Sequence, residues 1–447
     1  MRQMLLFLVV TALVPVAIAL PYVGVFLWSW LSFMNPHREV FGAAYGFPFV
    51  YWVAIPTLIA WLASREPKSV LREPVGILML LFLIWTCVTT VAALNRDWSF
   101  PYWERNAKSF VLIFAILGMV NSKTRIQGLV WIIAVSLGYY AVKGAGFILL
   151  TGGHFRVFGP DQSMISDNNS LSLALVMLLP LLNYLRLSSK RTIVSITVAV
   201  VMVLCVVTIL GTYSRGGLFG LVVVSIGMWL RSRHKTVLTL GAAAFLILLP
   251  AVIPAQWYQR MATIQGYAED QSFEGRVQAW VVSFNIAAER PLTGGGFGAT
   301  QLDSVFSQYN TRGLIRDGTA AHSVYFEVLG DHGFVGLALY LLMVAAGWLN
   351  LRYLIRLSKA REDLHWAADL GAMIQVSFIG FLVVGSLLSM AYYDVFLALV
   401  ALSACLRVLV EAEAAPGAQP SSVHWRRTPR AAAHAFRRRI GTANGET

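Results

Sequence analysis

Charge is what this chain has least of. Only 13% of its 447 residues are charged, about half the roughly 25% of a soluble globular chain. Acidic groups are scarcer still, 22 against 35 Lys and Arg. That deficit excludes an intrinsically disordered chain, which needs much charge and little apolar content, and an ordinary cytosolic enzyme. Three cysteines, Cys87, Cys205 and Cys405, all fall within apolar runs and provide no disulfide framework. Metal and nucleotide signatures are missing as well. No histidine pair has zinc spacing, no Asp-x-Asp pair occurs and there is no P-loop. The Gly294–Gly298 cluster lacks the strand–turn–helix context of a nucleotide fingerprint and reads as a flexible turn. An ATP-driven pump is therefore disfavoured. Neither an internal repeat nor an inverted pair of broken spans points to a secondary transporter.

What is present is apolar: 57% of the residues are hydrophobic, in long uninterrupted runs. A helix needs roughly 20 such residues to cross about 30 Å of hydrocarbon. Runs near 45–64, 74–94, 107–121, 127–150, 169–187, 192–210, 216–231, 236–253, 333–356, 370–390 and 394–412 meet or approach that requirement. Residues 3–34 form one apolar stretch broken by Pro15 and Pro21, either a single kinked span or a helical hairpin. Arg2, the apolar run and Ala17-Ile18-Ala19 also fit a signal peptide, but the run continues through Tyr22–Met34, where a mature soluble region should begin. The expected fold is all-α, a polytopic membrane protein of 12 or 13 spans with one large helical outer loop.

Orientation follows from the positive-inside rule. One set of alternating loops carries Arg65, Lys68, Arg72, Lys123, Arg125, Arg186, Lys190, Arg191, Arg231, Arg233, Lys235, Arg352, Arg356, Lys359 and Arg361. The opposite short loops carry only Arg38, Arg96, Arg105, Lys108, Arg156 and Arg215. The first set is assigned to the cytoplasm, along with His234, His365, His424 and His434. Four segments result: a transmembrane bundle over 1–253, an outer loop over 254–332, further spans over 333–412 and a tail over 413–447. The tail is rich in Ala, Pro, Ser and Arg, and reads as a disordered basic arm on anionic inner-leaflet lipid. It lacks the aromatic interleaving of a nucleic-acid binder. Within the outer loop, Trp257, Tyr258, Met261, Ile264 and Tyr267 recur near helical spacing, and Val277, Trp280, Val281, Phe284 and Ala288 share a helix face. The second set predicts an amphipathic helix at the membrane surface or packed on the bundle, stopped by Pro291.

Charges on the outer face run against the positive-inside bias and are candidate functional groups. Arg215 stands in Gly211-Thr212-Tyr213-Ser214-Arg215-Gly216-Gly217, a short outer link in which Ser214 can cap the next helix. An arginine is electrostatically misplaced at a helix N-terminus alone but suits an anion held there, the alternative being snorkelling to headgroups. Arg276 opens the amphipathic helix and poses the same question. The helix dipole accounts for Arg290 at the other end, and snorkelling explains Lys108 as well as ligand binding does. Together these cations suggest a phosphate or pyrophosphate pocket. His322 is the group on this face suited to take a proton from a hydroxyl. His332 competes, but its position at the loop-to-span junction suits an ordinary interfacial histidine.

These residues resemble the bacterial O-antigen ligase and polymerase superfamily of integral-membrane glycosyltransferases. His322-Ser323, nine residues, Gly333, two residues and Gly336 match its ligase motif. Ser214-Arg215-Gly216 and the Arg276-to-Trp280 spacing before Pro291-Leu292-Thr293-Gly294 also look like the family. Trp28-Ser29-Trp30, Met34-Asn35-Pro36-His37-Arg38, Gly159-Pro160 and Asp167-Asn168-Asn169 are similar to the branch of O-glycosylation ligases associated with exosortase systems. The resemblance runs from about residue 20 to 412. It implies an undecaprenyl-pyrophosphate-linked glycan donor, an acceptor hydroxyl on a protein, lipid core sugar or growing glycan, and neither metal nor cofactor. His322 would be the base, Arg215 and Arg276 would hold the pyrophosphate, and Lys108 is a weaker match. Arg156 and Asn168 are motif positions with no assigned role. The expected location is the bacterial inner membrane, with the site facing the periplasm. A repeat-unit polymerase needs the same groups. A lipid or solute transporter is the remaining alternative, with Lys143 near Tyr139 and Tyr140 as its one candidate feature.

Overall fold

The computed structural model describes residues 1–66, 68, 70–232, 235–236, 239–241, 243, 271–313, 317–359 and 361–415. Two compact units divide the chain, Met1–Val410 and Glu411–Thr447. Most of the span expected over 236–253, the aromatic pattern of 254–270 and the basic clusters of the tail lie outside the described residues.

Every extended element among the described residues is helical. In chain order these are α1 (Arg2–Ala19), α2 (Pro21–Met34), α3 (Phe49–Ala63), α4 (Pro74–Val91), α5 (Arg96–Met119), α6 (Lys123–Thr151), α7 (Asn168–Ser188), α8 (Thr192–Gly211) and α9 (Arg215–Arg231). There follow α10 (Gln271–Glu289), α11 (Asp303–Tyr309), α12 (Val324–Lys359), α13 (His365–Gly385) and α14 (Asp394–Ala414). Eight helices among the described residues are long and apolar enough to cross a membrane, and α2 and α3 are shorter apolar helices. This is a multi-pass membrane protein. Its lipid-facing character shows on α8, where Ile193, Ile196, Val200 and Val203 form an exposed stripe at helical spacing that a water-soluble surface would not carry. By contrast α7 is buried along most of its length and packs against α6, α8, α9 and α13.

Local chemistry sets the helix starts. Asn95, Ser122, Asp167 and Ser214 each accept a backbone N–H from the first turn they precede, satisfying donors a helix leaves open. Pro21 splits the 3–34 stretch: Leu20 leaves the helical region, and α1 and α2 pack on each other and on α3. The hairpin alternative therefore holds.

Several boundaries differ from expectation. α5 begins at Arg96, not near 107, because Asn95 caps three polar turns that no apolar window includes. α12 begins at Val324 and breaks at Gly333, whose φ of 68° and ψ of −169° interrupt the helix. α13 ends at Gly385, and the apolar residues 386–393 form a buried turn containing Leu388, Met390, Ala391, Tyr392 and Tyr393. Such backbone is tolerated at membrane depth only where protein supplies partners. Here Glu327 Oε2 accepts Ala391 N–H at 2.9 Å.

The loops assigned to one side gather at one end of the bundle. Leu94 N–H donates to Gly295 O at 2.9 Å, and Asn168 Nδ2 donates to Thr212 O at 2.8 Å. Loops assigned to the other side meet at the opposite end, where Arg125 pairs with Glu66 at 2.7 Å and Lys123 lies over the Trp366 ring.

Candidate active site

Helix α9 supplies the first cation. Tyr213 adopts φ 56° and turns the chain sharply, and its hydroxyl donates to Gly153 O. Ser214 Oγ accepts Gly217 N–H at 3.0 Å, so the expected cap forms. Arg215 is thereby the first helical residue, half-buried at the positive end of α9. Gly217 lies so close to α7 that an added Cβ would sit 1.6 Å from Ser172 Oγ.

His322 comes from the segment preceding α12 and is held in an unusual way. Its φ is 47°, left-handed for a residue with a side chain, and its N–H donates to Ser389 Oγ at 2.8 Å. Strained backbone of this kind clusters at functional sites. Burial first, then the Arg276 charge, hold the imidazole below its ordinary value near 6.5, while the Asp167 carboxylate pulls the other way. Arg276 and Asp167 therefore both lie within electrostatic reach of His322. Val384 links α9, which begins at Arg215, to the start of α12: it lies against Gly216 and Gly220 of α9, while the adjoining Gly385 lies against Val324. Trp280, one turn after Arg276, stacks on Phe326 at 5.3 Å and fastens α10 to the start of α12.

Other sequence candidates separate from this group. Arg276 and Arg290 lie on one helix, 14 residues apart in number, or about 20 Å at 1.5 Å per residue. Arg290 Nη2 donates to Ala92 O at the end of α4, so it anchors the α4–α5 turn. Lys108 pairs with Glu104 at 2.5 Å, lies over the Tyr51 ring and faces a different cavity. Arg156 is exposed and close enough to Tyr213 to oppose the upward shift that burial gives that phenol. Asn168 gains a role through its bond to Thr212 O, which ties the head of α7 to the turn bearing Arg215. His332 is no interfacial histidine. It is fully buried, Nδ1 lies 2.7 Å from Thr89 Oγ1, and Phe82, Phe297 and Tyr392 surround the ring.

The glycine cluster is a clasp. Gly295 and Gly296 N–H donate to Gly330 O and Asp331 O at 2.8 and 2.9 Å, and Phe334 N–H donates to Pro291 O at 2.9 Å. Asp331 accepts Gly298 N–H at 3.0 Å and the Tyr392 hydroxyl at 2.9 Å. A Cβ at Gly333 would stand 2.6 Å from the carbonyl oxygens of Pro291 and Leu292, and its φ of 68° admits only glycine comfortably. The expected flexible turn is thus buried and pinned from both sides. On helix α10, Ala279, Val282, Ile286 and Ala287 are buried, whereas Phe284 and Ala288 are exposed. Small residues let α10 approach its neighbours, while Val277, Trp280 and Val281 of the expected apolar face are half-buried and Trp280 stacks on Phe326.

Residues 200–341 match the family model described as O-Antigen ligase. The matched stretch contains Arg215, Arg276, His322, Gly333 and Gly336, and it supports the O-antigen ligase superfamily and a glycosyl-transfer role. Residues 1–192 match a model described as a family of unknown function (DUF5935). Comparison with curated proteins gave no match.

Asp167 was noted only within the Asp167-Asn168-Asn169 motif, and Ser389 not at all. Asp167 carried a signal, an N-cap residue just before an apolar run. Ser389 carried none, because its role depends on the turn after α13. Among the described residues no group of three or more His, Cys, Asp or Glu side chains is placed to hold a metal ion.

Proposed function

We propose that this protein transfers a glycan from undecaprenyl pyrophosphate to an acceptor hydroxyl, at the periplasmic boundary of the bacterial inner membrane. One observation carries the reading: His322, in strained backbone, shares its surroundings with Arg276 and Asp167 at the end of the bundle where Arg215 begins α9.

In this mechanism His322, neutral at physiological pH, accepts the acceptor's hydroxyl proton through its imidazole. The oxygen attacks the anomeric carbon, and the bond from that carbon to the pyrophosphate oxygen breaks. Arg215 and Arg276 balance the charge gathering on the leaving pyrophosphate, with α9's first N–H groups adding to the field. Two guanidiniums take the place of a divalent cation, so transfer proceeds without metal. The imidazolium then returns its proton to the departing pyrophosphate or to water. A single displacement inverts the anomeric configuration.

A repeat-unit polymerase would use the same site with a glycan acceptor. Transport has less support, because Lys143 pairs with Glu39, which also accepts the Tyr139 hydroxyl at 3.4 Å. That arrangement tethers α6 to the turn after α2.

The test uses the purified full chain with an undecaprenyl-pyrophosphate glycan and candidate acceptors. Transfer with inverted product stereochemistry by NMR is expected, together with its loss in His322→Ala and Arg215→Ala. Undiminished transfer by those variants, or retention of configuration, overturns the assignment. Glycan profiles of a deletion strain separate ligation from polymerisation, since only loss of the former leaves long lipid-linked chains.

A further inference from the structure

A cavity of about 550 Å³ opens between α2, α3 and α5, closed above by Met164, Ile165 and the Tyr393-Asp394 turn. It collects residues the proposed transfer reaction leaves unused: Trp28, Asn35, His37 and Arg38 of the N-terminal motifs, and Lys108.

Its polarity is graded. α3 and α5 both descend from the same end of the bundle. Tyr51 and Lys108 stand at one level, the ammonium 5.0 Å from the ring. Deeper along the same helices the lining becomes Ala54, Ile55, Leu58 and Val111. Ile55 and Tyr51 are also exposed on the bundle's flank, so the apolar part is continuous with the lipid-facing surface.

Two polar atoms of the lining have no partner among the described residues. Its carboxylates are engaged, Glu104 by Lys108 at 2.5 Å and Asp394 by Ser109 Oγ at 3.2 Å with the Arg105 charge nearby. Tyr393, only 4% exposed, has a buried hydroxyl with no partner. His37 Nδ1 is buried without one and can donate in the Nδ1–H tautomer. The Arg38 guanidinium lies over the Tyr45 ring at 4.8 Å and makes no ion pair among the described residues. Open donors above an apolar floor call for an oxyanion carried on a hydrocarbon chain.

We propose that this cavity is a binding site for a phosphoryl lipid, its headgroup held by Arg38, Tyr393 and His37 and its chain laid along Ala54, Ile55 and Leu58. The site is separate from the Arg215–Arg276–His322 group and stands whether or not that group transfers glycans. Two sources share the chemistry, a bilayer phospholipid and a polyprenyl phosphate.

Native mass spectrometry of the full chain in detergent tests the proposal, with dioleoylphosphatidylglycerol, undecaprenyl phosphate or dioleoylglycerol added. A retained adduct is expected with at least one phosphoryl lipid and none with dioleoylglycerol; the phosphoryl lipid that dominates identifies the source. Tyr393→Phe should lower occupancy roughly fivefold, the net worth of one hydrogen bond, and Arg38→Gln about tenfold or more. Ile55→Trp, at an exposed position outside the packed core, should block the chain while leaving the headgroup contacts intact. Arg215→Ala and His322→Ala should retain the adduct. Equal occupancy in the Arg38, Tyr393 and Ile55 variants, equal binding of dioleoylglycerol, or loss of the adduct in Arg215→Ala would overturn it.

Discussion

Gly217→Ala is the sharpest test of how α9 presents Arg215. The new Cβ would stand 1.6 Å from Ser172 Oγ, 2.8 Å from Ser172 Cβ and 3.2 Å from Ser214 Cβ. Turning the serine hydroxyl away removes the first clash but not the second. Carbon atoms rest at about 3.5–4.0 Å, so α9 and α7 must part by roughly 0.8 Å at this level. Overpacking of this kind costs about 1–3 kcal/mol. Replacing glycine in a helix returns about 1 kcal/mol, which leaves a net loss of about 0–2 kcal/mol. Function should suffer more. A 1 Å misplacement of a positioning group can cost about a hundredfold in rate, and Arg215 is two residues from the displaced backbone. Expected is a modestly lower thermal midpoint in detergent and a fall in kcat/KM for glycan transfer of about tenfold to a hundredfold. Ser172→Gly supplies the control. It removes both offending atoms, and the Ser172 hydroxyl is buried without a hydrogen-bond partner to lose. Gly217→Ala combined with Ser172→Gly should regain most of the activity. A fully active Gly217→Ala, or a double variant no better than the single one, would refute close α7–α9 packing as the means of placing Arg215.

Since burial and Arg276 hold the His322 pKa below the ordinary value, the acid limb of kcat/KM should fall below about pH 6.5. Arg276→Gln removes a neighbouring positive charge, so it should move that limb to higher pH, while Asp167→Asn should move it lower; a pH–rate series reads both. The same shift has a stability counterpart: the neutral imidazole's contribution is whole above the unfolded value and is lost as pH falls through the folded one. Ser389→Ala frees the left-handed His322 backbone from its hydroxyl acceptor, and should lower kcat by up to about tenfold, the worth of one hydrogen bond, with little change in donor KM. Tyr392→Phe leaves buried Asp331 short of its hydroxyl donor, which should cost about 1–3 kcal/mol in detergent unfolding. An unchanged midpoint would show that the clasp does not need that bond.

The start of α9 was legible in its cap Ser214, whereas the apolar runs near 127 and 169 pass over the caps Ser122 and Asp167, which start their helices at Lys123 and Asn168. Where polarity and helicity part company, hydropathy misleads. The first turns of α5 are helical but charged, and residues 386–393 are apolar because protein surrounds them. On α10 the periodicity marks an apolar face but not the depth of each residue: Ala279 and Ala287 are buried while Phe284 stays exposed, so hydrophobicity alone does not give direction. The site was partly readable. Arg215, Arg276 and His322 are chemically conspicuous in a chain so poor in charge, and the fold draws them to one end of the bundle. Lys108 was equally conspicuous but looks into another cavity, a fact that rests on the rotation of α5. Ser389 could not be foreseen, since its value lies in which backbone N–H it meets.

The stretch before His322 has a consequence of its own. Thr319 N–H bonds to Thr300 O at 3.0 Å, and Gly318 N–H to Asp303 Oδ1 at 2.7 Å. Residues 301–318 are therefore an excursion whose two ends are stitched together just ahead of the histidine. The first part of that excursion is no free loop, because α11 buries Val305, Phe306 and Tyr309 against Ala279, Val282 and Ile286 of α10. The stitch carries that packing to the segment leading into His322, so a change in the α10–α11 core reaches the histidine without touching a residue beside it.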